Sequence, residues 1–228
     1  MDLEDLSCQI IACRRCPRLV EWREAVARVK RKTYSEWEYW GKPVPGFGDS
    51  RARILAVGLA PGAHGSNRTG RQFTGDASGR FLYPALFRSG FATQPESTIR
   101  DDGLQLRGLY LTASCRCAPP GNKPTPDEIA NCRPYLEREI ELLAPKVIVC
   151  LGRLAFNGVL RIHSLRASEF SFGHGVRFQV PVGMGRARRW LLCSYHPSQQ
   201  NTLTNRLTPP MFDEIWRSAR ELAGYVAH

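Results

Sequence analysis

The sequence has no long apolar run. Stretches such as Val147–Leu151 fall far short of the ~20 residues that cross a bilayer, so no membrane partner is expected. Residues 1–6 are acidic and do not lead into the apolar core and small-residue cleavage site of a secretory signal, which points to a cytoplasmic protein. No glycine loop ends in Gly-Lys-Ser or Gly-Lys-Thr, and the spaced glycines of a dinucleotide site are missing, which argues against nucleotide hydrolysis on a P-loop and against a nicotinamide enzyme. The Cys13-x-x-Cys16 pair is not repeated, so the pattern is neither a zinc ribbon nor a ferredoxin run. Lysine is scarce, and arginine supplies most of the 32 basic residues.

What is present in excess is positive charge. Basic residues outnumber acidic ones 32 to 21, a formal net charge of +11 with histidine neutral. Arginine forks suit phosphate oxygens, so nucleic acid is a candidate partner, and a solvated arginine-rich surface is the plain alternative. With 43% hydrophobic residues the chain can bury a core. We read residues 1–228 as a single domain whose first 50 residues form an N-terminal arm.

Four short apolar runs, residues 53–58, 108–114, 146–151 and 189–194, read as buried strands. Residues 18–32 are amphipathic and read as helix, whereas Pro43, Pro45, Gly41, Gly46 and Gly48 make 37–50 a loop. Thr125-Pro126-Asp127-Glu128 carries a cap, a first-turn proline and a capping-box glutamate, and starts a helix running to about residue 143. A closing helix is expected over 212–226. Strands separated by helices imply crossovers and a parallel sheet, with the ligand crevice beyond the strands' carboxyl ends. Three polar loops, 58–79, 116–124 and 195–201, leave strands at that end.

Eight cysteines without an export signal favour metal ligation over disulfides. Cys13, Cys16, Cys117 and Cys132 could hold a tetrahedral zinc or a [4Fe-4S] cluster, and buried unliganded thiols are the alternative. Cys150 and Cys193 sit inside apolar strands and read as core, while Cys8 and Cys115 are spare candidates.

In the glycine-rich loop, Phe73 and Asp76 stand just before a helical segment at 81–87. A base can stack on the ring while the carboxylate orients water, or Asp76 can simply cap the helix. Pro197 holds His196 just past the last strand, where a neutral imidazole can donate to an oxygen that becomes negative. Ser198, Gln199, Gln200, Asn201 and Arg206 follow, polar groups suited to phosphates or to a gap in a duplex, or to an ordinary solvated loop.

The order and spacing of six segments resemble the uracil-DNA glycosylase superfamily, specifically its type B (fifth) family of iron–sulfur enzymes. The segments are Cys13-x-x-Cys16, Pro45-Gly46-Phe47-Gly48-Asp49, Gly58-Leu59-Ala60-Pro61-Gly62, Phe73-Thr74-Gly75-Asp76, the stretch from Arg116 through Asn122 to Pro124, and Tyr195-His196-Pro197-Ser198-x-x-Asn201. The resemblance implies a three-layer α/β/α fold with a central four-stranded parallel sheet. It also implies a [4Fe-4S] cluster on Cys13, Cys16, Cys117 and Cys132. The implied activity is base flipping followed by hydrolysis of the N-glycosidic bond of uracil, and of other deaminated bases such as hypoxanthine or xanthine, in DNA by a monomer. Carried over residue by residue, Phe73 stacks the flipped base, Asp76 assists water, Asn122 contacts the pocket and His196 bonds the pyrimidine O2, with Gly58, Ala60 and Gly62 lining the base site. Other branches place Asp, Asn or Glu directly after the Pro-Gly of the glycine loop, where this chain has Ala63 and His64. Asp76 is the substitute the resemblance suggests, and Asn122 or His64 could share the role or take it over. A non-catalytic iron–sulfur nucleic-acid-binding protein is the competing reading; it predicts salt-dependent binding without abasic sites.

Overall fold

Residues buried on both sides of a sheet need not alternate in polarity, and this explains the all-apolar runs at the centre of the molecule. The computed structural model describes residues 1–182 and 187–225. The strands are β1 (Phe47–Gly48), β2 (Ile54–Gly58), β3 (Leu109–Ala113), β4 (Val147–Leu151), β5 (Arg177–Pro181) and β6 (Arg188–Ser194), in the order β1-β3-β2-β4-β6-β5. Strands β3, β2, β4 and β6 are mutually parallel.

The expectation of a four-stranded parallel sheet is therefore corrected. The sheet has six strands and is mixed, because β1 pairs antiparallel with β3 at one edge and β5 antiparallel with β6 at the other. The short return from Pro181 to Arg188 cannot hold the crossover of a dozen or more residues that a parallel pair requires. β5 makes no apolar run because it is half exposed, with Arg177 and Gln179 turned outward and Pro181 at the strand's end.

Helices cover both faces. On one, α4 (Ala77–Arg88) and α8 (Pro209–Leu222) lay Leu82, Leu86, Phe212 and Trp216 over Ile54, Ala56, Leu111 and Val149. On the other, α5 (Pro126–Leu143) and α6 (Arg153–Ile162) lay Leu136, Ile140, Phe156 and Val159 over Leu55, Val57, Ile148 and Cys150. Successive residues of β2 thus serve opposite layers, as the two-residue period of a strand demands. The closing helix α8 starts earlier than expected, and Val226, its expected end, lies outside the described residues.

The capping signature of α5 is realised. Glu128 N–H donates to Thr125 Oγ1 at 3.2 Å, Thr125 N–H donates to the Glu128 carboxylate at 2.7 Å, and Pro126 opens the helix. A buried ion pair, Arg116 to Glu139 at 2.6 Å with both side chains 1% exposed, ties the loop after β3 to this helix. The first residues form α1 (Leu3–Ile11) and α2 (Pro17–Val29), and α1 packs Leu6 and Ile10 on Tyr135 of α5. Among the described residues no helix is long and apolar enough to cross a membrane.

Candidate active site

The glycine loop is shaped by what it must accommodate. A Cβ on Gly58, the last residue of β2, would stand 2.7 Å from Phe73 Cζ, so only glycine lets that ring rest on the strand end. Phe73 itself is 8% exposed and has φ +53, a left-handed backbone unusual for an aromatic residue. Its carbonyl occupies the space that a side chain at position 79 would fill, which accounts for Gly79.

Asp76 follows three residues later and does two things. Its Oδ1 accepts the Gly79 N–H at 3.0 Å and caps α4. Its Oδ2 lies against the other limb of the loop, 3.0 Å from where a Cβ on Gly62 would be and closer still to that of Gly65. The capping role is therefore real but occupies one oxygen only. Burial pushes the carboxyl's pKa up, against the N–H groups of Gly79 and Ser78 and the charges of Arg80 and Arg68.

His196 leaves the end of β6. Its main-chain carbonyl accepts from Asn201 Nδ2 at 2.8 Å, and Gly152 (φ +100) backs it closely, a Cβ there standing 3.3 Å from His196 Cβ. Burial lowers its pKa to about 4, so the imidazole is neutral at physiological pH. The His196 and Phe73 rings stand 6.1 Å apart, inclined by 34°. A cleft of about 330 Å³ opens beside His196, lined by Leu59, Gly152, Arg153, Tyr195, His196, Asn201 and Arg206, with the Arg206 guanidinium 4.7 Å over the Tyr195 ring. Neither Asp76 nor Phe73 lines this cleft; Asp76 Oδ2 rests instead against the Gly62 and Gly65 limb of the glycine loop.

The remaining expected site residues divide. Asn201 is turned inward as a clamp on the His196 loop. Ser198 is half-buried at the start of α7 (Gln199–Leu203), while Gln199, Gln200 and Arg206 are exposed. Asn122 is exposed on the turn Pro120–Asn122 with φ +57, and among the described residues its side chain makes no hydrogen bond and is not brought against Phe73, Asp76 or His196. Sequence reading missed Leu203, which ends α7 with 79% of its surface exposed. An apolar residue in an otherwise polar loop was the available signal.

The cysteines gather behind the glycine loop. Cys117, Cys132 and Cys115 are buried together with Leu19, and Cys16 and Ala60 pack on them, so Ala60 joins the base-site loop to the thiols. Cys13 packs on the adjacent group of Leu6, Ile10 and Tyr135. Leu59 O accepts from Cys115 N–H at 2.8 Å, which runs the two loops side by side. Donors point at the sulfurs: Arg23 lies 2.9 Å from Cys117 Sγ, and Asn131 Nδ2 lies 3.6 Å from Cys16 Sγ. Among the described residues, however, no three His, Cys, Asp or Glu side chains stand in a geometry that would hold a metal ion. Cys150 and Cys193 face each other on β4 and β6 within the core, as expected.

A mixed α/β sheet with an aromatic ring, a neutral histidine and a half-buried carboxylate on loops beyond the carboxyl ends of its parallel strands is the frame of a base-handling hydrolase, and the uracil DNA glycosylase superfamily model matches residues 45–220. The type-5 uracil-DNA glycosylase of Thermus thermophilus is 54% identical over 225 residues, covering 98% of this chain and all of the relative. That of Mycobacterium leprae is 51% identical over 225 residues, 97% of this chain and 96% of the relative, and that of Pyrobaculum aerophilum 45% identical over 221 residues, 97% and 93%. The chain belongs to the type-5 family of the uracil-DNA glycosylase superfamily.

Proposed function

We propose that the protein excises uracil from DNA by everting the nucleotide and hydrolysing its N-glycosidic bond. Family membership makes it a base-excision glycosylase. The observation that supports this mechanism best is the approach of Phe73 and His196 to 6.1 Å, beside the carboxylate-bearing turn that begins at Phe73.

Cleavage builds positive charge on the sugar and negative charge on the departing base, so the site needs partners of both signs. Phe73 stacks the everted base. Neutral His196, aided by loop N–H groups, donates to the carbonyl oxygen that gains charge. Ionised Asp76 orients the attacking water and faces the cationic sugar. The cleft beside His196 has room for a bicyclic base, which supports hypoxanthine and xanthine as further substrates. Asn122 enters this reading as a group that meets the base or the strand when DNA is bound, since its loop borders the glycine loop.

Ser198, Gln199, Gln200 and Arg206 meet the DNA around the vacated position, and Leu203 is the apolar wedge that fills it. Extrusion costs a few kcal/mol and least at a mismatch. Leu203→Ala should slow excision from a U·A duplex on the order of 10-fold and leave single-stranded DNA nearly unaffected; equal loss on both substrates would remove the wedge role.

Cys13, Cys16, Cys117 and Cys132 would hold a [4Fe-4S] cluster. Their all-thiol donor set and the N–H donors aimed at two of the sulfurs fit such a group. When bound, the cluster supplies a cross-link between the first helices and the loop after β3, because glycosidic hydrolysis moves no electrons. Anaerobically purified protein should show an absorbance shoulder at about 400 nm, and a colourless, zinc-loaded preparation would overturn the assignment.

The activity is tested with labelled duplexes carrying U, hypoxanthine, xanthine or T opposite each base, followed by alkaline cleavage. Strand breaks at U, strongest at G·U, are expected. Salt-dependent binding without breaks would favour the non-catalytic alternative.

A further inference from the structure

Arg68 lies on α3 (Ser66–Thr69), is 3% exposed and makes no ion pair among the described residues. Burying a guanidinium without a carboxylate is costly, so its surroundings must offset that cost. They do so in two ways. The Tyr34 and Trp37 rings enclose it, with centroids 4.0 and 3.9 Å from the guanidinium carbon. Its Nε donates to the His64 carbonyl at 2.8 Å and one terminal nitrogen donates to the Gly75 carbonyl at 3.0 Å, while the other terminal nitrogen is buried without a partner.

The two carbonyls are informative. His64 lies between Gly62 and Gly65, the backbone against which Asp76 Oδ2 rests, and Gly75 immediately precedes Asp76. One side chain therefore joins both backbone segments that frame the carboxylate, and its charge acts on that carboxylate. A side chain at position 75 would also collide with the guanidinium. Aromatic residues from the 34–37 segment hold the fork, so that segment is mechanically coupled to Asp76.

We propose that Arg68 is a positioning residue for base excision: clamped by Tyr34 and Trp37, it sets the orientation of Asp76 by holding both backbone segments that frame it. This inference rests on the role given to Asp76 above. The other charge that acts on Asp76 is Arg80 on its own helix; the titratable groups on the neighbouring loops are His64, bonded to Tyr39, and His196, whose ring approaches Phe73.

The test uses the full chain and single-stranded uracil DNA, so that duplex extrusion plays no part, with folding monitored by thermal unfolding. Arg68→Met should lower kcat about ten-fold with little change in KM, and move the acid limb of the kcat profile to higher pH, since loss of the positive charge makes Asp76 protonate more readily. Arg68→Lys should return the limb towards its original position. In an Asp76→Asn background, Arg68→Met should add almost nothing. If Arg68→Met does not fold, Trp37→Leu, which removes one face of the clamp, should show the same shifts in smaller measure. An unmoved limb, a rise in KM alone, or full multiplicative loss in the double variant would overturn the proposal. Wild-type turnover by Asp76→Asn would instead remove the Asp76 reading, and the proposal with it.

Discussion

Asp76→Asn is expected to slow base release by about 10²- to 10⁴-fold, the usual contribution of a positioned base, with DNA affinity nearly unchanged. The substitution isolates chemistry from folding because asparagine caps helices as well as aspartate does, so the bond from Gly79 N–H survives. The pKa direction adds a check on stability. A carboxyl whose folded-state pKa is raised contributes stability below its ordinary pKa and loses that contribution as pH rises through the raised value, so at neutral pH the ionised form is a cost to the fold. Thermal unfolding of Asp76→Asn at neutral pH should therefore occur at the same temperature as the wild type or a higher one. Asp76→Ala, which loses the cap, should unfold earlier, by about 1 kcal/mol in stability. The same raised pKa places the acid limb of activity above the ordinary aspartate value of 3.8. Unchanged turnover of the asparagine variant, measured in single-turnover assays, would exclude Asp76 from the mechanism.

His196→Ala should lower base release by about 10²- to 10³-fold, the typical loss of one preorganised donor to a developing anion. With a pKa of about 4 the imidazole stays neutral through the working range, so above roughly pH 5 no titration of His196 should appear in the profile. Leaving-group chemistry gives the sharper test. A base whose anion is intrinsically more stable, such as 5-fluorouracil, needs less help, and the loss on His196→Ala should be smaller for it than for uracil. Equal losses for the two bases would mean that His196 holds the loop, through its carbonyl bond with Asn201, rather than the charge.

Both variants act on residues that local pattern had already picked out, Phe73-Thr74-Gly75-Asp76 beside a helix start and His196-Pro197 beside a strand end. The four parallel strands and the start of α5 were legible for the same reason. Buried strands must be apolar in short unbroken runs, and a capping box is built from residues three apart. The edge strands were not legible. β5 alternates in burial and β1 is two residues long, so neither makes an apolar run. α1 was not legible either: it is nine residues long and buries only Leu6 and Ile10, so its capping box of Asp2 and Asp5 is the one local signal it carries.

Sequence alone determined what is encoded within a few residues: the strand cores, the capped helix, the thiol content, the basic charge and the order of motifs that carries the family resemblance. Tertiary structure decided what depends on residues far apart in the chain meeting. It set the antiparallel edges, the inward turn of Asn201 and the outward turn of Leu203, the seating of Cys115 among the other thiols, and the enclosure of Arg68 by Tyr34 and Trp37. The reason is that caps and strand periods are local interactions, whereas burial and pKa arise only when separate segments exclude water from the same place.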